Sequence, residues 1–272
     1  VSSDRTIEPV ACRQLAPATV AFYQQAMSAL QEAGVAFLVG GAYSLARYTG
    51  IERHTKDFDV FVKREDCDRA LAVLEGIGCG TDVPFPHWLG KAYRDGEFVD
   101  VIFSSGNGIA DVDDLWFAHA VDEVVLGIQT RLCPPEETIW SKSFIMERER
   151  YDGADILHLI RACGDRLDWD RLLKRFDGYW RVLLAHLTLF GFVYPGERDR
   201  VPARVMRDLM RRLDGELEIP ADERRTCRGT ILSRSQYLVD IGRWGYRDGR
   251  LSDGNMTRGQ IARWTAAIDD AG

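Results

Sequence analysis

Asp57 and Asp59 flank a single phenylalanine in the run Asp57-Phe58-Asp59-Val60. On an extended strand, side chains at i and i+2 leave by the same face, so the two carboxylates would stand side by side. Like charges that close repel at neutral pH unless a cation lies between them, and oxygen ligands suit a hard divalent ion. Upstream, the glycine pair Gly40-Gly41 follows the apolar run Val35–Val39. Glycine lets the backbone come close to a bulky anion such as phosphate. Together the two features suggest a metal–triphosphate site. A third carboxylate, Asp100, sits alone inside an otherwise apolar stretch, FVDVIF. Three aspartates on neighbouring strands are enough to hold two Mg²⁺ ions, which in such sites lie ~3.5–4 Å apart and clamp an in-line displacement at phosphorus. Mg²⁺ is usually held by a few carboxylates plus substrate phosphates. The plainer alternatives are a strand-start cap for Asp57 and a solvent-facing edge strand for Asp100.

These residues need elements to position them. Ala16–Ala33 has apolar residues at helical spacing (Val20, Phe22, Met27, Leu30), with Gly34 as its C-terminal stop. Val35–Val39 reads as a buried strand. Tyr43–Thr49 is helical in composition, and Gly41 falls where that helix would begin, so its N–H groups and dipole would face a ligand. Phe58–Val62 is the next strand and Glu65–Ile77 an amphipathic helix with acids in its first turns. A looser region follows, with a hairpin turn at Asp95-Gly96. Glu97–Phe103 is a strand with Phe98 and Asp100 on one face and Val99 and Val101 on the other. Val124–Cys133 reads as one further strand, ending at Pro134-Pro135. From there only helices are expected: Glu136–Glu149, Asp152–Cys163, Asp168–Phe176, Gly178–Phe192 and Pro202–Leu213. Beyond Pro220 the pattern is weakly periodic and rich in Arg, Gly and Asp, so short helices and loops are expected. The expectation is an α/β (α+β) domain over residues 1–134 with a small mixed sheet, then an all-helical C-terminal domain over 135–272.

Bulk properties narrow the class. With 272 residues, 46% hydrophobic and 28% charged, the chain has the material of an ordinary globular protein. No apolar run approaches the ~20 residues that cross a bilayer, so no membrane partner is expected. The opening VSSDRTIEP has neither the basic nor the apolar region of a signal peptide. Six cysteines are scattered without metal-ligand spacing and read as reduced thiols, which fits a cytoplasmic setting. The net charge of −7 argues against binding duplex DNA. Residues 1–141 hold 11 Lys/Arg against 21 Asp/Glu, and residues 142–272 hold 24 against 21. The acidic half suits cations; the other half leaves RNA or phosphate partners open.

The strand, Gly40-Gly41, the helix and then Arg53-His54-Thr55-Lys56-Asp57-Phe58-Asp59-Val60 resemble the nucleotidyltransferase superfamily of DNA polymerase beta. The nearest branches are the lincosamide and aminoglycoside antibiotic nucleotidyltransferases and the AbiEii-type toxin nucleotidyltransferases. Arg53, Thr55, Asp57 and Asp59 fill the family's Arg-x-Thr-x-Asp-φ-Asp stretch, and Asp100 matches its third, later carboxylate. Lys142 follows a Pro-x-Glu helix start, and Arg150-Tyr151-Asp152-Gly153-Ala154-Asp155 is similar to a downstream family element. The likeness spans roughly residues 33–165, and one departure is the 15 residues between Gly41 and Asp57, longer than in compact members.

The resemblance implies roles. Gly40, Gly41 and Ser44 would contact the β- and γ-phosphates of a nucleoside triphosphate. Asp57 and Asp59 would bind both Mg²⁺ ions, while Asp100 would hold the ion that activates an acceptor hydroxyl and receive its proton. Lys142 would be a point charge for the triphosphate, against the alternative of a solvated helix lysine. Arg53 would pair with Asp57 or Asp59 or help bind phosphate. The acceptor would be a small molecule, RNA or protein. The rival readings are a non-catalytic nucleotide-binding module on the same fold, and a toxin-like ribonuclease using Arg181 and His186, whose Arg-x-x-x-x-His spacing resembles that of HEPN domains. The apolar neighbours of His186 favour a half-buried histidine instead. His87 and Trp88 would line an acceptor pocket or pack a loop; Asp111, Asp113 and Asp114 read as a helix N-terminus before Leu115-Trp116-Phe117.

Overall fold

The structure is a computed structural model that describes residues 15–52, 57–220 and 223–267. It divides into two compact units: the first runs up to Ser104 and includes Asp111–Pro134, and the second takes Ser105–Ala110 and everything from Pro135 on.

The first unit is built on a seven-stranded mixed sheet. Its elements are α1 (Pro17–Glu32), β1 (Leu38–Val39), α2 (Gly41–Thr49), β2 (Asp57–Phe61), α3 (Cys67–Gly76), β3 (Gly80–Phe85), β4 (Leu89–Arg94), β5 (Glu97–Ile102), α4 (Asp114–Ala118), β6 (Val121–Val125) and β7 (Ile128–Leu132). The strand order is β3-β4-β5-β2-β1-β7-β6. One face of the sheet is apolar because β2 and β5 alternate: Phe58, Val60, Val99 and Val101 are fully buried. They share a core with Met27 and Leu30 of α1 and Ala70 and Leu74 of α3. Tyr23 stacks on Phe58 with ring centroids 4.6 Å apart, tying α1 to the middle strand. The strand at one edge, β3, contains Pro84 and loses register between Asp82 and Phe85, as befits a residue that cannot donate to a ladder.

Three expectations needed correction here. The strand expected over Val35–Val39 shrinks to Leu38–Val39, although Val35 and Phe37 remain buried. The region before Asp95 is not loose: it forms β3 and β4, which alternate too irregularly in sequence to stand out. The single strand expected over Val124–Cys133 is a hairpin, β6 and β7, turned at Leu126-Gly127, where both residues have positive φ (51° and 80°). The Asp95-Gly96 turn (φ 54° and 86°) is the type that follows the natural twist of a hairpin.

The second unit is helical, with α5 (Pro135–Lys142), α6 (Gly153–Cys163), α7 (Trp169–Phe176), α8 (Trp180–Val193), α9 (Ala203–Leu217), α10 (Gly229–Leu232), α11 (Leu238–Gly242), α12 (Gly249–Ser252) and α13 (Arg258–Ala266). It is not wholly so, since β8 (Thr226–Cys227) and β9 (Arg247–Asp248) form a short parallel pair. Ile139, Ile156, Leu159, Ile160, Leu172, Phe176, Leu183 and Phe190 fill its core. The expected helix over Glu136–Glu149 stops at Lys142. Its continuation, the charged run Glu147–Arg150, has no apolar face to bury, and the chain reverses there with Met146 bridging Tyr151. At the other end of α5, Glu137 is wholly buried between Arg171 and Arg175 of α7, and Glu136 accepts from the Asp168 backbone N–H at 2.6 Å. Among the described residues, no helix is long and apolar enough to cross a membrane.

Leu74 lies fully buried beneath the sheet, so Leu74→Ala should cost about 2–5 kcal/mol of stability, read as a lower urea midpoint at unchanged slope.

Candidate active site

The register of three strands assembles the carboxylates. β1 runs antiparallel to β2 with Leu38 opposite Phe61 and Val39 opposite Val60. The next rung is Gly40 with Asp59, and the Gly40 N–H donates to the Asp59 carbonyl at 3.0 Å. Gly41 then opens α2 at φ +56°, and a Cβ built there would run into the Asp59 carboxylate. The side-chain space of residue 41 is therefore taken by Asp59. A glycine is needed for two reasons at once, a left-handed backbone and a carboxylate lying against its Cα.

On its other side β2 pairs in parallel with β5, putting Asp57 opposite Phe98 and Asp59 opposite Asp100. Since Phe58, Val60, Val99 and Val101 fill the apolar face, Asp57, Asp59 and Asp100 all leave by the opposite one. Asp57 is exposed, Asp59 is half-buried, and the Asp100 side chain is only 13% exposed. Burial pushes the Asp100 carboxyl above its ordinary value; Lys91 pulls against this and the charge of Asp57 adds to it.

Lys91 is the residue that the sequence reading missed. It stands directly across β4–β5 from Asp100, with Nζ 2.7 Å from Oδ1. At that distance the ammonium and the carboxylate form an ion pair. A signal for it did exist. A two-residue turn at Asp95-Gly96 fixes the rungs Arg94–Glu97, Tyr93–Phe98, Ala92–Val99 and Lys91–Asp100.

Among the described residues, no three His, Cys, Asp or Glu side chains lie close enough to enclose a metal ion by themselves. That is compatible with Mg²⁺, which takes a few carboxylates and completes its shell with water and substrate phosphates. Asp57 and Asp59 offer the right donors on a face that solvent reaches, and the Gly41 cradle brings backbone beside them.

Other expected site residues fare differently. Ser44 is fully buried and its hydroxyl donates to the Gly41 carbonyl at 3.1 Å, the back-bond a helical serine commonly makes. The hydroxyl is thus turned onto its own helix rather than outward to a phosphate. Arg53, with His54, Thr55 and Lys56, lies outside the described residues. Lys142 is neither a free point charge nor a solvated helix lysine. Its ammonium lies 2.6 Å from Asp152 and 2.9 Å from Asp155, and Arg150 also donates to Asp152. Arg181 reaches Glu216, whereas His186 is fully buried with Nε2 2.9 Å from the Ser143 carbonyl. Burial lowers the His186 pKa against that carbonyl's pull, so the ring is neutral at pH 7 and the two residues build no common site. His87 is buried, and Trp88 stacks on Phe85 at 5.8 Å in the β3–β4 loop. Asp113 caps α4 by accepting from the Leu115 N–H, as its acidic run implied, and Asp114 pairs with Lys63.

No protein-family model matches the chain, and no curated protein matches its sequence. Among solved structures it is similar to the solution structure of the antibiotic-resistance factor ANT(2'')-Ia, at 16% identity and a TM-score of 0.46, over 63% of this chain and 98% of that one. A crystal structure of ANT(2'')-Ia in complex with adenylyl-2''-tobramycin gives 15% identity and a TM-score of 0.43, over 60% and 97%. Lincomycin-bound LnuA, a lincosamide antibiotic adenylyltransferase, gives 12% and 0.38, over 51% and 94%.

Two outcomes test this geometry. Gly41→Ala should lower the thermal midpoint and displace Asp59, the left-handed backbone alone costing ~1–2 kcal/mol; circular-dichroism melting checks it. In the second unit, burial would raise Asp152, but Arg150 and Lys142 outweigh it and hold its carboxyl below the usual 3.8. A lowered native value means stability that is present above the ordinary range and lost as pH falls through the native value. Melting temperature should therefore drop as pH falls below 3.8, and Asp152→Asn should flatten that drop.

Proposed function

We propose that this protein is a Mg²⁺-dependent nucleotidyltransferase that moves a nucleoside monophosphate from a nucleoside triphosphate to an acceptor hydroxyl and releases pyrophosphate. The observation that supports it is one sheet face carrying Asp57, Asp59 and Asp100 in register, beside a Gly40-Gly41 turn that lies against Asp59. That combination adds to the Arg-x-Thr-x-Asp-φ-Asp resemblance, which needs carboxylates from two strands at one place.

In this reading Asp57 and Asp59 hold the divalent ion, which supplies Lewis-acid stabilisation of charge on the phosphates. The turn into α2 lets backbone N–H groups approach the triphosphate without a side chain in the way. Asp100 takes the proton of the acceptor hydroxyl. Its raised pKa favours that role, because a base works best when its proton affinity lies nearer the working pH. The acceptor oxygen bonds to the α-phosphorus as the bond to the pyrophosphate oxygen breaks. The chemistry belongs to residues 1–134, with small hydroxylated molecules, RNA and protein as the acceptor classes to screen. The setting is the cytoplasm.

Pyrophosphate release, followed with each labelled nucleoside triphosphate against that acceptor panel, is the direct measurement. Asp100→Asn should lower turnover by ~10²–10⁴-fold with the fold intact, and Asp59→Asn should remove metal-dependent nucleotide binding. Turnover that survives both substitutions would show that the reaction runs elsewhere.

A further inference from the structure

Asp100 already has a cation in this chain. Lys91 Nζ lies 2.7 Å from Asp100 Oδ1 and sits over the Phe98 ring, 4.1 Å from its centroid. The carboxylate and the ring both come from β5, and both face Lys91 because of the hairpin register. The ammonium is therefore fixed twice, by charge and by the ring face. It is also partly withdrawn from water, at 34% exposure, beside a carboxylate at 13%.

We propose that the Lys91 ammonium takes the place a second divalent ion would need at Asp100, so that the site works with one divalent ion, at Asp57 and Asp59, and one built-in cation. This rests on the nucleotidyltransferase reading and narrows it. A divalent ion bound to Asp100 at ~2.0–2.1 Å would stand against an ammonium already within hydrogen-bond distance of the same group. Like charges that close, out of bulk water, disfavour each other strongly. A lysine suffices for the chemistry. The acceptor O–H bond breaks, its proton passes to Asp100, and its electron pair forms the new bond to phosphorus. Pyrophosphate leaves with the electrons of the broken P–O bond, and Lys91 stays an ammonium throughout, holding the acid in place.

Electron paramagnetic resonance of Mn²⁺ bound to the full chain with inorganic tripolyphosphate reads this directly. Ions ~3.5–4 Å apart are magnetically coupled, while a single ion gives an uncoupled spectrum. The wild type should give the uncoupled spectrum, and Lys91→Met, which removes the charge and keeps an unbranched side chain, should give the coupled one; Lys91→Gln serves if the first variant does not fold. A coupled pair in the wild type overturns the proposal and leaves the nucleotidyltransferase reading standing. So does a variant spectrum identical to the wild type's. If Mn²⁺ does not bind, or binds equally well to Asp59→Asn, the parent reading fails and this one with it.

Discussion

The apolar half of β2 and β5 holds the acidic half in place. Phe58, Val60, Val99 and Val101 are fully buried against α1 and α3, and each alternates with a residue that points the other way. A slip of one residue in either strand would bury aspartates and expose the core, so hydrophobic burial fixes the register and the register fixes the charges. Unsupported, Asp57, Asp59 and Asp100 would spread apart. Core packing on the reverse face keeps them together. Packing on the reverse face also sets Asp100 across from Lys91, whose ammonium it meets at 2.7 Å.

The same economy of charge runs through the second unit, with another outcome. Glu137 is shared by Arg171 and Arg175, and Asp248 is held by Arg250, which is itself 1% exposed. Buried pairs of this kind add little net stability over a well-packed apolar alternative, but removing one partner strands the other and typically costs about 3–5 kcal/mol. The first pins α5 to α7, and the second fixes the turn from β9 into α12. Lys142 belongs to this class as the structure stands, since Asp152 and Asp155 both claim its ammonium. The first unit sets Asp57, Asp59 and Asp100 on one sheet face; the second buries Glu137 and Asp248 with arginines.

Much of this was legible in the chain. Asp57-x-Asp59, the glycine pair and the Asp95-Gly96 turn each carry a local physical meaning that does not depend on distant residues. The helices α1, α3 and α6 were legible because an apolar stripe at helical spacing is a strong signal. What escaped was weakly patterned. β4 mixes Gly90, Lys91 and Ala92 with larger residues, and β3 holds a proline, so neither alternates cleanly. Leu126-Gly127 hides its turn because leucine seldom adopts positive φ. The direction of the Ser44 hydroxyl was not legible, because sequence does not say whether a helical hydroxyl turns outward or back onto its own backbone.

By itself the sequence determined which groups can do chemistry and which local conformations they favour: carboxylates two apart on a strand, a glycine where no side chain fits, a tight hairpin turn. Those follow from covalent geometry and from neighbours within a few residues. The tertiary structure decided who stands beside whom. It put Asp100 on the rung next to Asp59, gave Asp100 a lysine, turned His186 inward against the Ser143 carbonyl, and tied Lys142 to two aspartates. Such pairings depend on register and on burial, which are properties of the whole sheet and the whole core. No short window of residues contains them.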